Sequence, residues 1–408
     1  MFNYEQQVTA KGAGLLTTNS EKAIGPKQTS YNELRHSGAG YALVDFYDQV
    51  AREKDLTVER EDLQYVAMEA ANKAANWSLN ELRRTLPAQP GFERSDAIYS
   101  FSKHRRAKLG ASGLTLILLA KIEATMPGSI KTKDMKALAN FIVAMQTESG
   151  QFWSFYVDGD GPSHKPNRSL YYPGEAMLGL MYFYNLFPDP MYLETTTSGI
   201  ISLARERAAQ PMSDIPIDHW LLIAVREWVP AHRRSDRYNP KVEQEVMTSI
   251  ERIVNATLCQ MPLHTMGSAP VATRMEGMQA TMFYLPSLQG DTCTPYKTMV
   301  QKSISHGVNL LLDSQIRPLN NEYLAGGWLG SVKPIAELQK SKRLNVRIDF
   351  PQHALSAIVR HWQLIDAERL NCQEGVSDDT FATLLAAHAT TCNAAPTKSR
   401  PLERPRPR

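Results

Sequence analysis

Two kinds of apolar segment take turns along this chain, six of each, and their strict alternation limits what it can fold into. The first kind is apolar almost all round: residues 41–47 (YALVDFY), 112–122 (SGLTLILLAKI), 176–187 (AMLGLMYFYNLF), 220–229 (WLLIAVREWV), 275–285 (MEGMQATMFYL) and 354–365 (ALSAIVRHWQLI). A helix of that kind must be covered on every side. The second kind carries one apolar stripe at the i, i+3, i+4, i+7 spacing. Leu63, Val66, Ala67, Ala70, Ala71 and Ala74 form one such stripe, and Met135, Leu138, Ala139, Ile142 and Val143 another; further copies lie in 193–204, 242–254 and 300–312, with a weaker one in 381–385. Helices of this second kind keep a wet face.

Apolar and amphipathic helices in this order predict six helical hairpins closed into a double ring, an all-α (α/α)6 toroid. Closure buries six helices inside six others, whereas each hairpin alone would leave its apolar helix bare. An open helical solenoid or a two-domain bundle would also accommodate the alternation. Short β-hairpins are expected only in loops, as at 151–157 (QFWSFYV), and strand–helix alternation of the kind that builds a parallel sheet is absent. The single toroid domain is expected over residues 31–391, preceded by an extension at 1–30. A tail at 392–408, proline-containing and basic, is expected to stay disordered because it has almost nothing apolar to bury.

Composition narrows function mainly by exclusion. With 43% hydrophobic residues in 408, the chain can bury a large core. A net charge of +3, from 45 basic against 42 acidic residues, lacks the field of a dedicated nucleic-acid binder. The longest apolar run, 113–120, falls far short of the roughly 20 residues that span a bilayer. Residues 1–12 (MFNYEQQVTAKG) have neither the basic start nor the apolar stretch of a secretory signal. Cys259, Cys293, Cys372 and Cys392 are widely spread, form no CxxC pair and have no histidine at ligand spacing. They are read as free thiols of a cytoplasmic protein, with no metal and no cofactor expected.

The segments leading into the six apolar helices are unusually polar. Arg35 and His36 precede the first and Lys108 the second; Tyr171, Tyr172 and Glu175 surround Pro173 at the third. Asp218 and His219 open the fourth, Arg274 and Glu276 the fifth, and Arg347, Asp349 and His353 the sixth. In a closed ring of hairpins the inner helices run the same way, so these segments gather at one mouth. Six positive helix ends with Arg35, Lys108, Arg274 and Arg347 would attract anions there, while Glu175, Asp218, Glu276, Asp349, His36 and His219 supply acids and bases. Taken singly, each acid reads equally as a helix cap, and each Arg–acid neighbour pair as a local ion pair. Recurrence at all six helices is what makes them a set.

The loops that approach the mouth repeat a glutamine, a glycine and an aromatic: Gln146, Gly150, Phe152 and Trp153, then Gln315, Gly326, Gly327 and Trp328. The glutamines fit a structural role in bridging unpaired backbone groups. Tyr171, Tyr172 and Trp328 suit either stacking on sugar rings or plugging the barrel end. The stretch 158–169 (DGDGPSHKPNRS) resembles a calcium loop without its closing glutamate, so metal binding is not expected there.

The alternation and the glutamine–glycine–aromatic repeat resemble the α/α-toroid superfamily over about residues 31–391. That superfamily includes six-hairpin glycosidases, N-acylglucosamine epimerase-like enzymes, lanthionine synthetase cyclases and terpenoid cyclases. A squalene-type cyclase would need a DxDD motif, whereas the adjacent acids here, Asp378 and Asp379, stand in SDDTF. Lanthionine-type zinc chemistry would need cysteine ligands at the mouth, and the cysteines lie elsewhere. The resemblance therefore implies a carbohydrate-active enzyme acting on an anionic sugar or oligosaccharide. Hydrolysis by Glu175 or Asp218 with Glu276 or Asp349 is favoured over epimerisation or elimination by histidines. Tyr171, Tyr172, Trp328 and His353 join the cations as binding residues. A toroid that instead grips a peptide or partner protein is the alternative from another class.

Overall fold

The computed structural model describes residues 5–8, 32–53, 57–84, 94–98, 106–162, 169–260, 263–316, 326–333, 344–372 and 377–393. Twelve α-helices stand among them, in six hairpins: α1 (Glu33–Val50) with α2 (Val58–Asn80), α3 (Leu109–Thr125) with α4 (Thr132–Ala144), and α5 (Tyr172–Leu186) with α6 (Pro190–Ala208). The second half repeats the pattern with α7 (His219–Arg234) and α8 (Pro240–Cys259), α9 (Ser268–Thr281) and α10 (Pro295–Ser314), and α11 (Asp349–Asp366) and α12 (Asp378–Asn393). Odd-numbered helices pack in an unbroken circuit, α1 against α3, α3 against α5, onward to α11, and α11 back against α1. Even-numbered helices cover them from outside. The α/α toroid is thus the observed fold, and the core follows the two helix types: α3 and α5 bury most of their side chains, whereas α4 buries the stripe Met135, Leu138, Ala139, Ile142 with Ala137, Asn140 and Phe141 beside it.

Ring closure needs close helix approach, which the sequence supplies with glycine. A β-carbon on Gly113 of α3 would stand 2.7 Å from the backbone of Glu175 and Ala176 in α5, and one on Gly179 would stand 2.8 Å from the carbonyl oxygen of Gly113. Backbone cannot step aside as a flexible side chain can. Gly113→Ala is expected to cost about 1–3 kcal/mol through overpacking, read as a lower urea midpoint; an unchanged midpoint would mean that the two helices separate freely.

Two expectations are corrected. Leu63 and Val66 do not line the buried face of α2: its first turns stand exposed, and Ala67, Ala71, Ala74 and Ala75 carry the packing. Small residues let α2 lie close on the ring, so its larger apolar residues fall where the helix overhangs. Cys259, Cys293 and Cys372 are not free thiols, and the side chain of Cys392 lies outside the described residues. Cys293 and Cys372 form a disulfide with their Cα atoms 5.3 Å apart, and Cys259 is disulfide-bonded as well. Spacing along the chain could not reveal a bond that depends on where two distant loops meet. Within the extension at 1–30, β1 (Glu5–Val8) pairs antiparallel with β7 (Leu344–Arg347), just before α11.

The remaining strands are short and lie in loops, as anticipated. β2 (Leu82–Arg84) pairs with β3 (Asp96–Ile98), and β5 (Phe155–Val157) lies between β4 (Arg106–Lys108) and β6 (Gly161–Pro162); every described pairing is antiparallel. Residues 163–168 of the calcium-like stretch and 394–408 of the tail lie outside the described residues. No helix among the described residues is long and apolar enough to cross a membrane.

Candidate functional site at the mouth of the ring

The N-terminal halves of the six inner helices touch in sequence around the ring, which places the polar segments at one end; Arg274 and Glu276 do not open α9 as expected but lie about two turns inside it, because the helix already begins at Ser268. Lys108 before α3 pairs with Glu33 of α1 at 2.8 Å. Glu175 of α5 lies against Gly110 of α3, and Gly174 against the backbone of Trp220 and Leu221 in α7. His219 of α7 faces Gly277 of α9, Glu276 of α9 meets His353 of α11, and Asp349 of α11 returns to Arg35 of α1 at 3.5 Å. Six contacts close the circle.

Within it, Glu175 and Asp218 are the carboxyls most altered by their surroundings. Glu175 is buried, its Oε2 has no hydrogen-bond partner, and burial, reinforced by the nearby Asp218 carboxylate, pushes it up to about 8. These surroundings favour its protonated form. Asp218 caps α7, its Oδ1 accepting from the Leu221 N–H at 3.1 Å, while its Oδ2 stands 3.6 Å from the Arg207 guanidinium. Burial raises it to about 6 against the opposing pull of Arg207 and that N–H. The cap reading and the charged reading of Asp218 therefore hold together.

Glu276 is fully buried and accepts from the Nδ1–H of His353 at 2.9 Å; the Nε2 of His219 lies 3.9 Å from the same Oε2. Burial works against protonation of His353, but the Glu276 carboxylate outweighs it and raises the histidine above its ordinary value. His219 goes the other way, held well below that value by burial and then by the charge of His353. Its ring meets Tyr171 edge-on at 5.1 Å and lies 4.9 Å from Trp220.

Most of the expected anion clamps already have partners. Arg347 makes a two-pronged bond to Asp349 at 2.7 and 3.0 Å, Arg35 shares the same carboxylate, and Lys108 is paired with Glu33. Arg274 differs. Its Nη atoms donate to the Pro270 carbonyl at 3.0 Å and Gln260 Oε1 at 3.1 Å, its Nε has no partner, and no carboxylate among the described residues pairs with it. Burial lowers its hold on the proton, while proximity to Tyr171 raises it.

Two candidates turn away from the mouth. His36 bonds the Ala74 carbonyl of α2 through Nε2 at 3.0 Å and packs on Trp77, because its place on α1 faces the outer helix. Trp328 is buried, its indole N–H donating to the Leu311 carbonyl of outer helix α10 at 2.7 Å, so it offers no stacking platform. Tyr172 packs edge-on against Phe155 at 5.9 Å; Tyr171 keeps more exposure. Gln146 donates to the Gly150 and Thr195 carbonyls, and Gln315 to that of Gly326, the bridging role expected of them.

Sequence reading missed Arg207. It stands on outer helix α6 yet is buried, since Ile200, Leu203, Ala204 and Arg207 share the i, i+3, i+4, i+7 stripe. A charge on a stripe position was the available signal. Arg207 and Glu206 also line a cavity of about 290 Å³ between the Gly150–Phe152 turn, Pro173 and Pro216, beside Asp218.

No family model matches the chain, and no curated protein matches it. Solved structures do. An α-mannanase of family GH76 from Bacteroides thetaiotaomicron aligns over 88% of this chain and 96% of its own at 10% identity, with a TM-score of 0.54. A structure described as a possible GH105 member from Klebsiella pneumoniae covers 81% and 82% at 11% identity, with a TM-score of 0.41. At such identities the first likeness speaks to architecture alone, and it agrees with the closed circuit of helices: the chain is an α/α toroid, of the six-hairpin glycosidase-like shape.

Proposed function

We propose that the protein is a carbohydrate-active hydrolase whose mouth cleaves a glycosidic bond in an anionic sugar or oligosaccharide. The observation that carries this reading is Glu175: a buried carboxyl with an unpartnered oxygen, in surroundings that favour its protonated form. Glycoside hydrolysis needs one such acid to protonate the leaving oxygen and a second, ionised carboxylate across the bond. Asp218 on the neighbouring inner helix is that second group, oriented by the Leu221 N–H and Arg207. The fold shared with the GH76 mannanase supports a sugar as the substrate class.

Arg274 is the group that would hold the substrate's anionic part, being the mouth cation without a carboxylate partner among the described residues. A charge-assisted contact of this sort contributes about 1.5–3 kcal/mol. Arg274→Gln is therefore expected to raise KM for an acidic substrate about 10- to 100-fold with kcat nearly unchanged. A fall in kcat at constant KM would place Arg274 elsewhere in the reaction.

The His353–Glu276 pair beside His219 favours a second reading, proton transfer at carbon by an epimerase or lyase. One experiment separates them. Neutral oligosaccharides, uronate oligosaccharides and sugar phosphates are incubated with the protein in deuterated water. New reducing ends without deuterium on carbon support hydrolysis; deuterium at a sugar carbon without new ends supports epimerisation, and an unsaturated product elimination. If no sugar turns over and none raises Tm, the peptide-gripping toroid takes their place.

A further inference from the structure

His219, Glu276 and His353 come from inner helices α7, α9 and α11, and their ligand atoms all lie within 4.8 Å of one another. Nothing in the hydrolytic reading uses them. As a hydrogen-bonded cluster they are incompletely satisfied: the 2.9 Å contact accounts for His353 Nδ1 and Glu276 Oε2, but Glu276 Oε1 and both ring nitrogens of His219 have no hydrogen-bond partner. A neutral imidazole always carries one N–H and one lone pair, and leaving such groups buried and unpaired costs about 1–3 kcal/mol each. The side chains of Glu276 and His219 are 0% and 2% exposed, so bulk water does not serve them. Packing against Tyr171 and Trp220 explains where the His219 ring lies, not what its nitrogens bind.

We propose that these three residues bind a divalent transition-metal ion, with Zn²⁺ the best match to the donor set. Two imidazoles and one carboxylate are a recurrent ligand set for zinc sites that keep a further position open. Bonds of about 2.0–2.2 Å in tetrahedral array put ligand atoms roughly 3.4 Å apart. The separations here, 2.9 Å for His353–Glu276 and 3.9 Å for His219–Glu276, bracket that spacing. Small side-chain rotations close the site, and the three supporting helices stay where they are. Imidazole donors disfavour Ca²⁺ and Mg²⁺, which take oxygen ligands. The carboxylate offsets one of the ion's two charges. Arg360, an interior cation acting on both His219 and Glu276, is itself drawn to Asp45 at 3.9 Å. The ion would leave at least one position for water or a substrate oxygen at the mouth, and it would compete with the His353–Glu276 hydrogen bond on which the proton-transfer reading depends.

The test uses the full chain without a histidine tag, stripped with a chelator and dialysed. Zn²⁺ is titrated calorimetrically and Co²⁺ by its visible absorption, which is intense only at low coordination number. One ion per chain is expected, with the Co²⁺ band present in the wild type. His219→Ala and Glu276→Gln should each weaken Zn²⁺ binding by on the order of 100-fold or more, since even outer-shell changes cost 10- to 100-fold. Far-ultraviolet circular dichroism checks that the variants fold. X-ray absorption at the zinc edge of the wild type needs no variant and should report two imidazoles and oxygen. Absence of stoichiometric binding, affinity unchanged in a folded His219→Ala, or a zinc spectrum with fewer than two imidazoles would each overturn the site. Each readout is binding, so failure here leaves the role of Glu175 untouched, and inactivity of Glu175→Gln leaves the metal site untouched.

Discussion

Glu175→Gln is expected to reduce turnover by about 10²- to 10⁴-fold, the usual worth of a positioned acid, without lowering Tm. The side chain keeps its volume over Gly110 and loses only the proton it would donate. In the wild type, with the carboxyl held up near 8 against an ordinary value of 4.5, the folded state binds the proton more tightly than the unfolded chain. Stability from this group is full below about 4.5 and is lost as pH rises through about 8. The amide cannot ionise, so the variant should match the wild type in acid and melt higher than it in alkali. Turnover should follow the same proton: flat on the acid side of about 8 as far as Glu175 is concerned, then falling tenfold per pH unit, with that limb gone from the residual activity of the variant. A variant that melts lower at every pH would make Glu175 a packing residue, and an alkaline limb surviving in it would assign the proton to another group.

The architecture was legible because burial on all sides is a property of a helix's own sequence. Residues 112–122 and 176–187 have no polar face to offer water, and six such helices alternating with striped ones leave few arrangements besides a closed double ring. The mouth followed from topology, since hairpins in a ring place every inner N-terminus at one end. What a side chain does on reaching the mouth was not legible, because that depends on partners far away in sequence. Arg347 reads equally as a clamp and as a local partner of Asp349, and Arg35 as a free cation, until Asp349 is seen between them. His36 and His219 are alike in sequence, each at the start of an inner helix, yet a rotation about the helix axis gives one to the Ala74 carbonyl and the other to the mouth. Arg207 was passed over because it belongs to an outer helix, although its stripe position already required a buried partner.

The disulfide between Cys293 and Cys372 should be worth several kcal/mol to the fold and almost nothing to the mouth. Its two cysteines are 79 residues apart, and closing a loop of that size removes about 4–5 kcal/mol of unfolded-chain freedom on the entropic account, with roughly 2–5 kcal/mol usual for a native bond. Cys293 lies just before α10 and Cys372 beyond the end of α11, at the opposite end of the inner helices from Glu175. The native turn has other support: Gln301 of α10 donates to the Arg369 carbonyl and accepts from the Cys372 N–H, each at 2.8 Å. Breaking the bond therefore frees the unfolded chain more than it disturbs the folded one. Cys372→Ser should lower the urea midpoint and steepen the transition, because the released chain exposes more surface on unfolding. Turnover below the transition should be unaffected. Equal midpoints for variant and wild type, or two free thiols at these positions in protein folded under oxidising conditions, would dissolve the pairing. The bond also removes the reason for placing the chain in a reducing compartment, since such disulfides persist where thiols are oxidised, and it shows why cysteines without a motif looked inert: the pairing of Cys293 with Cys372 is set by the meeting of the last two hairpins.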